Sequence, residues 1–305
     1  MLNWRHAFIG LSALLLLAPA SRASEPELSF AVIGDWGKGT PEQRREAEAF
    51  GRVAGDDNAR FIISTGDNFY PRGVTSVSDP NWKTLFEDVY SAPSLMVPWY
   101  AVLGNHDHRG STAAQIEYSK TSDRWRLTAA FYKHSERIAD GVDADFFFLD
   151  TTPLYQASRW PWKLWPFENE QYAWLKRELA ASTADWKIVV GHHPVFSGGG
   201  HGNTSVLIKS LKPLLEKYGV DAYFNGHDHA LGHIVVNGVN YFTVGAGAEG
   251  SLTRAIEGSR FLGGTAGFMT AKLHRSDLQV EFFDENGASV YRADCHNGRR
   301  APGNR

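Results

Sequence analysis

Residues 61–70 read FIISTGDNFY, an apolar, β-branched run that halts at Gly66 and continues at once with Asp67, Asn68 and Tyr70. A short run with no polar alternation indicates a strand covered on both faces. A glycine at its end lets the backbone turn sharply and come close to a ligand. The same wording recurs along the chain. AVIG precedes Asp35, AVLG precedes Asn105, His106 and Asp107, IVVG precedes His192 and His193, and YFNG precedes His227, Asp228 and His229.

Helical stretches separate these runs. Thr40, Pro41 and Gln43 form an N-terminal signature, with Thr40 as cap and Pro41 in the first turn. Asp79-Pro80 opens a second helix expected to reach about Tyr90. ENEQYAWLKRELA (168–180) and TSVLIKSLKPLLEKYG (204–219) carry helical apolar spacing, the latter with a kink or a restart at Pro213. Strands alternating with helices predict an α/β domain of mostly parallel βα units. The last part turns twice, at Arg275-Ser276-Asp277 and Glu285-Asn286-Gly287, which predicts antiparallel hairpins.

The chain has 305 residues and no Pro/Gly/Ser linker, so one domain accounts for its bulk. Residues 1–23 read as a secretory signal. Arg5 and His6 precede an apolar stretch from Ala7 to Ala18, and Ser21 and Ala23 suit the cleavage site. That stretch is short for a membrane span. The expected mature chain is residues 24–305, with a cut after Ala20 as the alternative, secreted or periplasmic, with no membrane span left. Cys295 is the single cysteine, which excludes an intrachain disulfide. A net charge of -3 argues against a nucleic-acid partner.

In open α/β sheets, ligands gather outside the carboxyl ends of the strands. Five strand ends meeting there would assemble carboxylates, an amide, a phenol and imidazoles, which is the inventory of a metal site. Each piece alone is weak: Gly-Asp after a strand is commonly a turn or a cap. The set is stronger, because six of the twelve histidines (His106, His192, His193, His201, His227 and His229) lie in or just after these ends.

The order Gly-Asp, Gly-Asp-Asn-x-Tyr, Gly-Asn-His-Asp, Gly-His and Gly-His-x-His resembles the metallophosphoesterases. Within them it is similar to purple acid phosphatases of the small, tartrate-resistant acid phosphatase type, over nearly the whole mature chain. The resemblance implies a four-layer α/β/β/α sandwich with two mixed sheets and two metals at the strand ends. Asp35, Tyr70 and His229 would hold the first metal, Asn105, His192 and His227 the second, and Asp67 would bridge them. Phenolate and carboxylates suit Fe(III), whereas Asn and His suit a divalent Fe, Zn or Mn. The implied activity is hydrolysis of phosphomonoesters, small phosphorylated substrates or phosphoproteins, by a metal-bound hydroxide nucleophile at acidic pH. His106 and His201 would contact phosphate or protonate the leaving group, with Asp107 orienting His106.

Gly37 stands two residues after Asp35, where many metallophosphoesterases carry a ligating histidine, and Tyr70 can take that ligand's place. This disfavours a nuclease or diesterase. A non-catalytic phospholigand sensor predicts a lost ligand or a lost His106, and neither is lost. His193 stands where the family commonly has Tyr; it and His108 are expected at the rim of the site. RWPWKLWP (159–166) is a candidate rim loop, although packing is the better reading of its tryptophans.

Overall fold

The computed structural model describes residues 27–157 and 170–297. The expected leader, the stretch 159–166 and the first two residues of the helix expected at 168–180 lie outside the described residues.

Two mixed seven-stranded sheets face each other. The first contains β1 (Leu28–Ile33), β2 (Ile62–Ser64), β3 (Trp99–Ala101), β4 (Trp125–Arg126), β12 (Gly267–Leu273), β13 (Asp277–Asp284) and β14 (Ser289–His296), in the order β14-β13-β12-β1-β2-β3-β4. The second contains β5 (Tyr132–Ala139), β6 (Val142–Phe148), β7 (Trp186–Val190), β8 (Ala222–Asn225), β9 (Leu231–Val236), β10 (Val239–Val244) and β11 (Ser259–Gly263), in the order β11-β9-β10-β8-β7-β6-β5. The parallel pairing expected from the sequence holds at the centres, β1 to β4 and β6-β7-β8-β10. Antiparallel hairpins flank both, including the two expected near the C-terminus.

Strand alternation explains why these runs have no polar face. In β6, Phe146 and Phe148 point into the core between the sheets while Phe147 points outward. Ile188 and Val190 oppose Val189 in the same way, as do Phe224 against Tyr223 and Phe242 against Tyr241. Phe30 of β1 meets Phe146 and Phe224 across the gap, at ring-centroid distances of 5.5 and 6.1 Å. The outer face of the second sheet is covered by α4 (Glu170–Ala181), α5 (Ser205–Ser210) and α6 (Lys212–Lys217), through Tyr172, Leu175, Leu207 and Leu215. Pro213 sits in the first turn of α6, so the long helical stretch restarts there.

The outer face of the first sheet is covered by α1 (Pro41–Asp56), whose Phe50 packs on Phe268 and Trp99. Thr40 Oγ1 caps α1 by accepting from the Gln43 N–H at 3.3 Å. Two short helices, α2 (Thr112–Tyr118) and α3 (Thr152–Ala157), follow β3 and β6. The helix expected from Asp79 to Tyr90 is shorter and wider. The chain winds over Trp82–Glu87 with the Asp88 N–H donating to Lys83 O at 2.9 Å, a five-residue step. Trp82, Phe86 and Tyr90 are all buried, and the winding tightens again after Glu87, where the Tyr90 N–H donates to Phe86 O at 2.9 Å, a four-residue step.

Glu46 lies on the inner face of α1, buried, with no hydrogen-bond partner for either oxygen. Burial, and then the Glu285 carboxylate, push its pKa well above the ordinary glutamate range. A group whose pKa is raised in the folded state stabilises in acid, and that contribution is lost as pH rises through the folded value. Glu46→Met is therefore expected to be the more stable protein near neutral pH, by about 1–3 kcal/mol. The gap should shrink below about pH 4. Thermal melts across that range check it; a gap independent of pH would refute it.

Candidate metal centre

The parallel strands point their carboxyl ends at one edge, where the two sheets meet. Loops after β1, β2 and β3 supply Asp35, Asp67 with Tyr70, and Asn105 with His106; loops after β7 and β8 supply His192 with His193, and His227 with His229. The backbone is driven into the left-handed region at three of these residues: Asp35 (φ 59), Asp67 (φ 49) and His227 (φ 73). Such strain at non-glycine residues costs about 1–3 kcal/mol each and collects at functional sites. Two glycines make the approach possible. A Cβ on Gly104 would come within 2.1 Å of Asp67 Oδ1, and one on Gly226 within 2.3 Å of Asp35 Oδ2.

Two clusters result, sharing one oxygen. In the first, the Tyr70 hydroxyl lies 3.0 Å from Asp35 Oδ1, 3.0 Å from Asp67 Oδ2 and 3.2 Å from His229 Nε2. In the second, His192 Nε2 lies 3.2 Å from both Asn105 Oδ1 and His227 Nδ1. Asp67 Oδ2 is 3.5 Å from His192 Nε2 as well. The structure thus brings together all seven residues expected to hold metal.

Hydrogen bonds behind the rings aim them. His192 Nδ1 donates to Thr65 O at 3.0 Å, which leaves Nε2 facing the cluster, and His229 Nδ1 donates to Glu249 Oε1 at 2.7 Å. Burial, and then the Asp67 charge, raise the pKa of Asp35 well above the carboxylate range. Burial, and then Asp35 and Asp67, raise that of Tyr70. Burial holds the His192 pKa low and takes that of His227 down to about 2, so both imidazoles keep free lone pairs. Crowded buried oxygens that resist ionisation without a counter-charge, beside imidazoles that resist protonation, fit cations. The donor set fits a dinuclear centre on that ground.

Gly37 leaves no room for another ligand, since a Cβ there would lie 1.9 Å from Asn68 O. The Tyr70 N–H donates to Gly37 O at 2.8 Å, so the phenol arrives beside the position that lacks a side chain.

His106 and His201 stand on the open side. His106 Nδ1 donates to Pro71 O at 2.9 Å, and its Nε2 faces Asp67 Oδ2 at 4.0 Å. His201 has a side chain 59% exposed, and its Nδ1 donates to Asp228 Oδ1 at 2.9 Å. A cleft of about 300 Å³ opens beside His201, lined also by Asn105, His108, Arg109, Tyr155, Gln156 and His227.

Two expectations are corrected. Asp107 does not orient His106. Its buried carboxylate accepts from the N–H groups of Gly104 (2.9 Å) and Asn68 (3.1 Å) and from Gln115 Nε2 (2.8 Å), tying two loops together. Burial, and then Asp67, push its pKa up to about 7. His193 is not at the rim. It is fully buried, its ring 4.4 Å from those of both His227 and Tyr155. One ring nitrogen each of His192, His193 and His227 lie within 4.8 Å of one another. The strand pattern could not reveal this, because the cover over His193 comes from Tyr155 of α3. His108, paired with Asp150 at 2.8 Å, does border the cleft.

Asp228 and Glu249 were not anticipated. Asp228 could have been noticed as the acid between two histidines. Glu249 follows a sixth strand end, VGAGAE, which repeats the strand-then-glycine pattern.

Residues 28–231 match the calcineurin-like phosphoesterase family. The chain is 44% identical over 250 residues to tartrate-resistant acid phosphatase type 5 of Oryctolagus cuniculus, covering 76% of each chain. It is 38% identical over 313 residues to that of Homo sapiens (94% of this chain, 96% of the relative) and 38% over 306 residues to purple acid phosphatase 4 of Arabidopsis thaliana (91% and 87%). Among solved structures, GAP50, the anchor in the inner membrane complex of Plasmodium, superposes with a TM-score of 0.80 at 29% identity over 90% of both chains. The purple acid phosphatase PPD1 of yellow lupin gives 0.68 at 17% identity, covering 90% of this chain and 55% of that one, a likeness of fold.

Proposed function

Because the chain belongs to the calcineurin-like phosphoesterase family and is a hydrolase of its purple acid phosphatase branch, we propose that it is an exported acid phosphatase that cleaves phosphomonoesters at a centre of Fe(III) and a divalent Fe, Zn or Mn. The observation that carries the reading is the shared oxygen: Asp67 Oδ2 lies 3.0 Å from the Tyr70 hydroxyl and 3.5 Å from His192 Nε2. Asp35, Tyr70 and His229 would hold the iron; Asn105, His192 and His227 would hold the divalent ion; Asp67 would join them. When bound, the metal pair supplies a hydroxide nucleophile in acid and positive charge for the phosphate oxygens.

The chain's own residues do the rest. His106, with Nδ1 held by Pro71 O, presents Nε2 to the bound ester, where it can contact phosphate or hold the proton for the leaving oxygen. His201 serves from the opposite side, its ring fixed by Asp228. The cleft admits small phosphorylated molecules and an exposed phosphorylated side chain of a protein. No helix among the described residues is long and apolar enough to cross a membrane.

His106→Ala and His201→Ala are expected to keep both metals and to lower kcat by about 10- to 1,000-fold each, the usual range for a proton donor. The loss should shrink for a substrate with a good leaving group wherever the missing ring is the donor. Unchanged kinetics in either variant would remove that residue from the mechanism. Assays of a phosphomonoester beside a phosphodiester, with metal analysis and a visible spectrum, test the assignment as a whole. A preference for the diester would overturn it.

The likeness to GAP50 raises a second reading, an anchoring role. That role requires no ligand set, whereas all seven ligand positions and both His106 and His201 are present here.

A further inference from the structure

Lys38 and Glu249 stand behind the first cluster and belong to neither ligand set. Glu249 Oε1 takes two donors, the His229 Nδ1–H at 2.7 Å and the Lys38 ammonium. The same ammonium lies over the ring of Tyr70, 4.7 Å from its centroid. Both loops are fastened to the site. The Gly247 N–H donates to Gly34 O at 2.9 Å, Ser251 Oγ donates to His229 O at 3.0 Å, and the Tyr70 N–H donates to Gly37 O, next to Lys38, at 2.8 Å. The Lys38 side chain is only 15% exposed. As a stability element, such a pair, with Glu249 half-exposed, contributes little. Its placement is the informative feature: one end touches the imidazole and the other covers the phenol, two of the three groups assigned to the iron alone.

We propose that Lys38 and Glu249 form a charged clamp that sets the electronic properties of the first metal site. Glu249 fixes the His229 ring and makes it a stronger donor, as a carboxylate behind a ligating imidazole does. The Lys38 ammonium stabilises electron density on the Tyr70 ring, as a cation over an aromatic face does. This inference rests on the iron–tyrosinate reading above. The Lys38 charge also reaches Asp35, whose pKa is raised by burial and by Asp67 and is eased back by Lys38.

The two charges act with opposite sign, which makes the clamp testable. A cation beside the site favours Fe(II) over Fe(III), and one lying over the phenolate ring also holds electron density on that ring, which raises the energy of charge transfer from it. In Lys38→Met, therefore, the visible band should move to longer wavelength and the Fe(III)/Fe(II) midpoint potential should fall. In Glu249→Gln, which keeps an acceptor for His229 but leaves the Lys38 charge without its counter-ion and weakens the donation from His229, the potential should rise. Glu249→Gln should also bind iron about 10- to 100-fold more weakly, so its spectrum is taken at saturating iron. The double variant should return towards wild type, and Lys38→Arg should resemble it. A merely structural pair would leave band and potential in place. Full iron with neither quantity moved, or both single variants shifting the potential in one direction, overturns the proposal. A colourless wild type with full iron removes the iron–tyrosinate reading and this inference with it.

Discussion

Asp67→Asn is expected to give a folded protein that binds neither metal firmly and turns over more than about 100-fold more slowly, since even a change behind a ligand costs about 10–100-fold. The substitution keeps the shape. Its carbonyl oxygen can still accept from the His106 N–H, as Asp67 Oδ1 does at 2.7 Å. What changes is the other atom. An NH₂ group replaces Oδ2 and turns a donor towards the Tyr70 hydroxyl and His192 Nε2, where both clusters need a shared anion. Asn105→Ala provides the contrast. Asn105 Oδ1 lies 3.2 Å from His192 Nε2, and its loss weakens only the second cluster, so that variant should lose the divalent ion and keep the iron. Elemental analysis of both proteins beside kcat decides. Both metals retained in Asp67→Asn, or lost equally in Asn105→Ala, would break the division into two sites with one bridge.

The site was more legible than the fold around it, for a physical reason. A strand covered on both faces must be apolar at every position, and a backbone that turns against a ligand needs glycine, so the strand ends declare themselves in short words. The edge strands lack that constraint. In β5, YKHSERIA, every second side chain from Lys133 to Arg137 is exposed, so no apolar run forms. β9 and its turn at Asn237-Gly238, with φ 49 and 81, carried a hairpin signal that the adjacent Gly-His-x-His masked. Side-chain partnerships across loops were the least legible. Asp107 follows His106 in sequence yet points at Gly104, Asn68 and Gln115, because a buried carboxylate goes where unpaired N–H groups are. His193 looks like a second rim imidazole until Tyr155 is laid over it.

Tyr70→Phe separates the purple phosphatase reading from the broader two-metal one. Phenylalanine keeps the ring that packs 4.3 Å from that of His106 and lies beneath Lys38 at 4.7 Å, so the variant should fold. It removes the single oxygen that lies within 3.2 Å of Asp35, Asp67 and His229 together. No neighbour can replace that oxygen: Gly37 has no space for a side chain, and His193 packs on His227 of the other cluster. Burial and two carboxylates hold the hydroxyl protonated until a cation displaces the proton, so a phenolate here would report bound metal directly. With Fe(III) in place, electron transfer from phenolate to iron should colour the wild type pink to purple, and a strong reductant should bleach it. With Cys295 as the single cysteine, no intrachain disulfide is present to be broken by the same treatment. Tyr70→Phe should be colourless and hold iron at least about 10- to 100-fold more weakly. A variant that stays coloured would show that Tyr70 is not the chromophore, while Asp67 and the histidines would still define a dinuclear phosphoesterase.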